Sequence, residues 1–509
     1  MFILKKPLKV KSLVEVAKSK KIRVRLSDDL KEKIERSRKF LEDKVVQGEV
    51  VYGVNTGFGS LRNESISSEK VLELQKNLIR SHCVGVGAPA SVEEVRATML
   101  TRINSLAQGY SGVRLCLIEK LLELLNKNIT PYVPKQGSVG CSGDLAPLSH
   151  ISITLMGEGY CFDDDLKKRR PTKDVFREKD VESIEFKAKE GLSLNNGTAF
   201  MSGIAALNVY RAVNLNLMLD VSGALTFEAL MGNPDALKGE IQKVRLHNGQ
   251  GKTAKNFLNL LKGSSLVGKN NDVQDDYSLR CIPQVHGASK DVVNQCYKIV
   301  ENEINSVTDN PLIFPDSGEV LSGGNFHGAP IGYWMDFLSI PMSDLGNISE
   351  RRIYRLLSPH LNRGLNAYLI RSEDIGLNSG LMITQYTAAS LAAENKIYSH
   401  PSSVDSIPTS AGSEDHVSFG TIAAQKCSKV LENIETITAI EIICAYQALI
   451  LREEKNMGIG TQICFSMLRD SLRGFNKDKF LHDDIVKIKD IIKGGEILHK
   501  IKEEVRLVH

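Results

Sequence analysis

Cys141, Ser142, Gly143 and Asp144 stand in the stretch "GSVGCSGDLAPLSH", Gly137 to His150, between small neighbours. This order of residues permits an unusual reaction of the chain with itself. In a tight turn, the Gly143 amide nitrogen can approach the carbonyl carbon of Cys141, and a glycine leaves that approach open. Addition and loss of one water closes an imidazolone ring. Loss of the Ser142 hydroxyl with its α-hydrogen, as a second water, leaves an exocyclic methylidene. The product is an electrophile built from the polypeptide, and Asp144 can serve the proton transfers. The surrounding fold has to hold such a turn under strain. Taken alone, a Ser-Gly-Asp tripeptide is more often a helix cap. A hydrolase reading of Ser142 also stays open, although Gly143 follows directly and no G-x-S-x-G elbow is formed.

The elements that must position this stretch are mainly helical. Apolar residues recur with helical period over 198–231, 288–307, 328–356, 376–398 and 418–455. They lack sustained heptads, so a globular bundle is expected rather than a coiled coil. Ser27-Asp28-Asp29 reads as the cap of an N-terminal helix. "VVYGVNTGFGSL", Val50 to Leu61, is a glycine-rich loop entered from a short extended run. Helical pattern returns in "SSEKVLELQKNLIRSH", breaks at "VGVGAPAS", and resumes to a stop at Gly109. Residues 131–147 read as loop, and 160–186 as charged sequence with short extended pieces. The tail reads as two amphipathic helices around Gly494-Gly495, its lysines on a solvated face. The expected fold is mostly α. A long-helix bundle core over 203–509 joins a smaller mixed N-terminal domain, 1–202, that carries the reactive loop.

Composition narrows the function classes. The chain has 509 residues, 42% hydrophobic and 25% charged, with a net charge of +4, so it gives no electrostatic case for nucleic acid. The apolar run at the N-terminus is too short for a signal peptide, and no eighteen-residue apolar stretch predicts a membrane span. Nine cysteines, with no C-x-x-C pair, point to a reducing, cytoplasmic compartment and no structural zinc or other metal. "HNGQGKT" lacks the first glycine and the preceding strand of a phosphate loop, and "GVGAPA" matches a dinucleotide pattern only in its letters.

The extended string at 137–150 resembles the signature of the aromatic amino acid ammonia-lyases. These carry the methylidene-imidazolone group MIO (4-methylideneimidazole-5-one), with Ala-Ser-Gly as the usual triad; here Cys141 replaces the alanine. The resemblance runs from about residue 45 to about residue 430. It is carried by "YGVNTGFG", "EGLSLNNGTAF", "VQDDYSLRCIPQVHGA", "TDNPL", "SGGNFHGAPIG", "SERRI" and "ENKIYSHPSSVDSIPTSAGSEDHVS", in family order. It implies a mostly α homotetramer with active sites shared between subunits, MIO formed from Cys141-Ser142-Gly143, no external cofactor, and an amino acid substrate. It implies Tyr52 as the base; a phenol titrates near pH ~10 and needs tuning to act near neutrality. Arg280 becomes the clamp for the substrate carboxylate, with Tyr277 orienting substrate or ring. The resemblance implies that Asn196 bonds the prosthetic carbonyl, that Phe326 packs beside the ring, and that Asn325, its neighbour in "GGNFHG", contacts substrate.

Substrate choice rests on two further places. Ser81-His82 resembles the histidine-acting branch, where phenylalanine enzymes carry an aromatic-Leu pair and tyrosine enzymes His-Leu. Glu414 stands where phenylalanine enzymes have glutamine. An imidazole entering a pocket needs polar partners for its ring nitrogens, and His82 and Glu414 supply them. The expected reaction is non-oxidative deamination of L-histidine to trans-urocanate and ammonia. The alternative is a tyrosine or phenylalanine ammonia-lyase or aminomutase. Gly412-Ser413 depart from the Asn-Gln that often precedes the glutamate.

Overall fold

The computed structural model describes the chain except residue 6, residue 65, 164–167, 372–374, 454–455, 473–474 and 476. Parts of the expected 160–186 and 418–455 segments therefore lie outside the described residues. Among those described, nineteen α-helices dominate, and the eight strands form four two-stranded sheets. Two compact units emerge. One joins Met1–Tyr210, Tyr297–Asp336 and Pro401–Gln425; the other joins Arg211–Cys296, Phe337–His400 and Lys426–His509. Both units are discontinuous in sequence, whereas the expected boundary at 202/203 divides the chain into consecutive pieces.

The apolar periodicity emerges as helices Ala199–Ala229, Ile282–Glu303, Ala329–Leu357, Met382–Tyr398 and Gly420–Arg452. The last is long and apolar enough to cross a membrane by length and composition, but 83% of its apolar window is buried within the protein. In the tail, His482–Gly494 ends at Gly495 with φ +78°, and Glu496–Glu504 follows. "HNGQGKT" begins the helix Asn248–Leu260 after His247, so it forms no phosphate loop.

In the first unit, the helix Val92–Leu106 is the buried axis. It starts with a capping box: Ser91 Oγ accepts from the Glu94 amide, and the Glu94 carboxylate accepts from the Ser91 amide. Thirteen of its fifteen residues are buried, including Arg102. The segment read as a break at 84–91 holds the short strand Val86–Pro89, antiparallel to Pro134–Gln136. That pairing ties the end of the His82-bearing helix, Val71–His82, to the chain entering the reactive loop. No strand precedes the Tyr52 loop; turns fill it instead.

The second unit buries charge as well as apolar surface. Glu441 accepts from Arg352 Nε at 2.5 Å and Nη2 at 2.9 Å, from Ser349 at 2.6 Å, Thr226 at 2.9 Å and Ser222 at 3.1 Å. Burial pushes its pKa up, but Arg352 and the hydroxyls outweigh this and hold it below the usual carboxylate range. Glu441→Ala leaves the buried Arg352 guanidinium without its counter-charge. The expected loss is about 3–5 kcal/mol, seen as a lower thermal midpoint, and Glu441→Gln loses less.

Candidate active site

Two helices begin at the reactive loop, and their starts fix its shape. Leu145–Leu155 follows Asp144, and Ala199–Ala229 follows Asn196-Gly197-Thr198. Gly143 and Gly197 pack backbone to backbone. A Cβ on Gly143, whose φ is +77°, would lie 2.1 Å from the Gly197 carbonyl oxygen. The close approach is closed by hydrogen bonds. The Asp144 amide donates to the Gly197 carbonyl at 2.8 Å, and the Gly197 amide donates to the Ser142 carbonyl at 3.2 Å. Asn196 Nδ2 donates to that same Ser142 carbonyl at 3.0 Å. The Ser142 carbonyl thus faces two N–H donors, an arrangement suited to an oxygen that gathers negative charge.

Asp144 turns away from the triad. Its carboxylate accepts from Ser138 Oγ at 3.0 Å, from Thr421 Oγ1, and from the Met201 amide at 2.9 Å. It therefore caps the first turn of Ala199–Ala229, which suits a brace better than the proton shuttle expected from its position in sequence. Burial pushes its pKa up to about 6, against the pull of those donors.

A cavity of about 690 Å³ opens in front of the triad. It is lined by Tyr52, His82, Cys141, Ser142, Asn196, Phe326 and Glu414, among others. All belong to the first unit. The Tyr52 hydroxyl accepts from the Gly59 amide at 3.1 Å, which leaves its hydrogen free to point elsewhere. Ser142 Oγ donates to Glu414 Oε1; Cys141 Sγ and Thr409 Oγ1 donate to Oε2 at 3.1 and 2.8 Å. Burial raises the Glu414 pKa, but these three donors and His82 outweigh it and keep the carboxylate ionised. Burial beside Glu414 pushes the Cys141 thiol up to about 12, so it stays a neutral donor. Burial lowers the His82 pKa, favouring the neutral ring, although Leu78 and Glu414 pull the other way. Ser81 Oγ sits 3.0 Å from His82 Nδ1 and fixes the ring's edge.

Asn325, Tyr277 and Arg280 do not line this cavity. Asn325 Nδ2 donates to the Val307 carbonyl at 3.2 Å. Tyr277 and Arg280 belong to the second unit. They share a short helix, Tyr277–Arg280, with the guanidinium 4.9 Å from the ring centroid. Tyr277 is 71% exposed, and Arg280 lines a cavity of about 320 Å³ within the second unit.

Sequence reasoning missed several cavity groups. Arg62 donates to Ser413 Oγ at 2.9 Å, linking the Tyr52 loop to the Glu414 loop. His327 and His416 also line the cavity, their rings stacked 4° from parallel with centroids 5.4 Å apart. His327 and His416 lay inside quoted blocks, so position was a signal for them. Ser138 lay inside the opening stretch and bonds both Asp144 and the Gly143 carbonyl, at 3.0 and 3.5 Å; Thr421 gave no signal, because it meets the site through the folded Asp144 and Ser138. Among the described residues, no group of three or more His, Cys, Asp or Glu is arranged to hold a metal ion.

A mainly helical fold bearing a glycine-crossed Ser-Gly turn beneath a polar cavity has known counterparts. Residues 8–470 match the family model for aromatic amino acid lyase, and the chain belongs to that family. It is 48% identical over 98% of its length to a histidine ammonia-lyase of Caldanaerobacter subterraneus subsp. tengcongensis, covering 97% of that protein. Among solved structures, it superposes with TM-score 0.93 on histidine ammonia-lyase from Trypanosoma cruzi, at 40% identity, covering 99% of this chain and 96% of that one. A tyrosine aminomutase from Streptomyces globisporus gives TM-score 0.94 at 36% identity, covering 99% and 98%.

The raised Asp144 pKa sets a pH test. Between its ordinary value of 3.8 and about 6, the folded state binds more protons at this site than the unfolded state. Stability from the protonated form is present below about pH 4 and lost as pH rises through about 6. The thermal midpoint of the wild type, measured relative to Asp144→Asn, is expected to fall across that window. A constant difference would contradict the raised value.

Proposed function

We propose that the chain deaminates L-histidine to trans-urocanate and ammonia, using MIO formed from Cys141, Ser142 and Gly143. The observation that carries this reading is Glu414 and His82 bordering one cavity with Ser142, Glu414 hydrogen-bonded to the serine hydroxyl. The residues fit the group. Gly143 has room for no side chain, and the Ser142 carbonyl, which becomes the ring carbonyl, already has Asn196 and the Gly197 amide as donors. When formed, MIO supplies an electrophile that engages the substrate and makes ammonia loss feasible.

The chain's own side chains supply the rest. His82, neutral, and Glu414, ionised, give the substrate imidazole polar partners that replace its lost water. Tyr52, with its oxygen steadied by Gly59, is the proposed base for the β-hydrogen. Phe326 borders the cavity and gives the ring an apolar neighbour. Tyr277 and Arg280 are proposed to serve a site in another copy of the chain within a homotetramer. The exposure of Tyr277, with a guanidinium stacked on it, supports a pair that has a partner still to meet.

The tyrosine or phenylalanine reading is weaker. Fold does not separate the candidates, since the aminomutase superposes as well as the ammonia-lyase. The side chains weigh against phenylalanine, whose hydrocarbon ring has no use for an ionised carboxylate and an imidazole; a phenol offers one hydroxyl to that pair, whereas an imidazole offers a ring nitrogen to each. Greater identity to proteins named histidine ammonia-lyase points the same way.

The test combines mass and a substrate panel. The purified chain is expected to be lighter than its sequence by two waters, and Gly143→Ala to keep full mass. Glu414→Gln and His82→Leu should each lower kcat/KM for histidine at least about 10²-fold, by removing a polar partner of the ring, and more than Ser81→Ala does. If both retain histidine turnover, the substrate assignment is wrong.

A further inference from the structure

Glu414 is held unevenly. Its Oε2 accepts from Thr409 Oγ1 at 2.8 Å and from Cys141 Sγ at 3.1 Å, while Oε1 accepts from Ser142. Thr409 is also tied to Glu414 through the backbone. The Thr409 amide donates to the Glu414 carbonyl at 2.8 Å, and the Glu414 amide donates to the Thr409 carbonyl at 3.2 Å. Ser410, Ala411 and Gly412 turn between them at φ of +52°, +51° and +79°. The carboxylate therefore rises from a small closed loop whose other end grips it.

We propose that the two oxygens of Glu414 do different work: Oε2 is an anchor held jointly by Thr409 and Cys141, and Oε1 is the oxygen presented to substrate. The inference rests on the proposed formation of MIO. In that conversion Ser142 gives up its hydroxyl as water, so the donor to Oε1 disappears while both donors to Oε2 remain. Maturation thus opens one face of the carboxylate without releasing the other. A pinned oxygen fixes the direction of its partner, which matters where a misplaced group loses much of its effect. Cys141 then has a task that the family's usual alanine lacks. It and Thr409 are positioning residues, acting on substrate only through Glu414. The hydroxyl is the stronger donor and the thiol the weaker one, so each backs up the other.

A double-mutant cycle tests this. Thr409→Val and Cys141→Ala each remove one donor, and the double variant removes both. Intact mass reports ring formation, steady-state kinetics report kcat for histidine, and calorimetry reports the Kd of urocanate. Each single variant should lower kcat only about three-fold, and the double about 100-fold, because groups sharing one partner couple. Urocanate binding should weaken about ten-fold in the double and hardly at all in the singles. Thr409→Ser in the Cys141→Ala background, which restores a hydroxyl, should match Cys141→Ala alone. Losses in the double equal to the product of the singles would overturn the proposal. So would a serine variant as poor as the valine, or a double variant that fails to cyclise, since the donors are assigned no part in ring formation. A wild type inert towards histidine would instead defeat the functional reading; the urocanate cycle is read independently of turnover.

Discussion

The contact on which the site depends is the crossing of two glycine backbones, Gly143 over Gly197. With no side chain on either, the strands of the crossing come near enough to exchange hydrogen bonds in both directions. A methyl on Gly143 would overlap the Gly197 carbonyl, and one on Gly197 would lie 2.5 Å from Arg102 Nη1. The crossing therefore specifies glycine twice, on steric grounds. It also puts the Ser142 carbonyl in front of Asn196, and the Asp144 amide over the Gly197 carbonyl. Everything the loop presents to the cavity follows from that register.

Keeping two backbones so close needs support from beneath. Arg102, fully buried, donates to the Asn196 carbonyl at 2.7 Å and to the Ser193 carbonyl. Burial lowers its pKa to about 10, with Asp309 and Asp144 pulling it back up, so it remains a cation. Lys189 and Asp309 are paired nearby at 3.1 Å, both buried. Such charges do little for net stability when compared with apolar packing. They do, however, resist small displacements, because a shifted turn would leave a buried charge unpaired. The polar floor suits a loop that has to keep one geometry.

Legibility from sequence followed the range of the interactions. The long helices were readable because apolar period is a local property, and Ala329–Leu357 and Met382–Tyr398 emerged close to the expected spans. The Cys141-Ser142-Gly143 triad stood out because its proposed chemistry lies in consecutive residues. For Asp144, adjacency in sequence and contacts in the fold suggest different roles. Sequence adjacency suggests a proton shuttle, but its carboxylate is spent on Ser138, Thr421 and Met201, which are distant in the chain. Arg62 was not legible, and Thr409, although inside a family block, gave no hint of its role, because the importance of both lies in which atoms they touch. Strand Val86–Pro89 was read as a break, since its glycine and its proline conceal a pairing made with residues 134–136.

The substitution of cysteine at position 141 is best understood through its neighbours. A thiol that burial keeps neutral is a poor nucleophile, so it can sit beside the proposed electrophile without consuming it. Its surroundings are apolar on one side, where Val139, Val417 and Phe419 pack, and polar on the other, where Glu414 stands. An alanine would satisfy the first side only, and an ionisable group of lower pKa would repel the carboxylate. Cysteine satisfies both sides because it is a small apolar side chain with a weak donor at its tip. The pocket thereby gains a contact to Glu414 without gaining a charge.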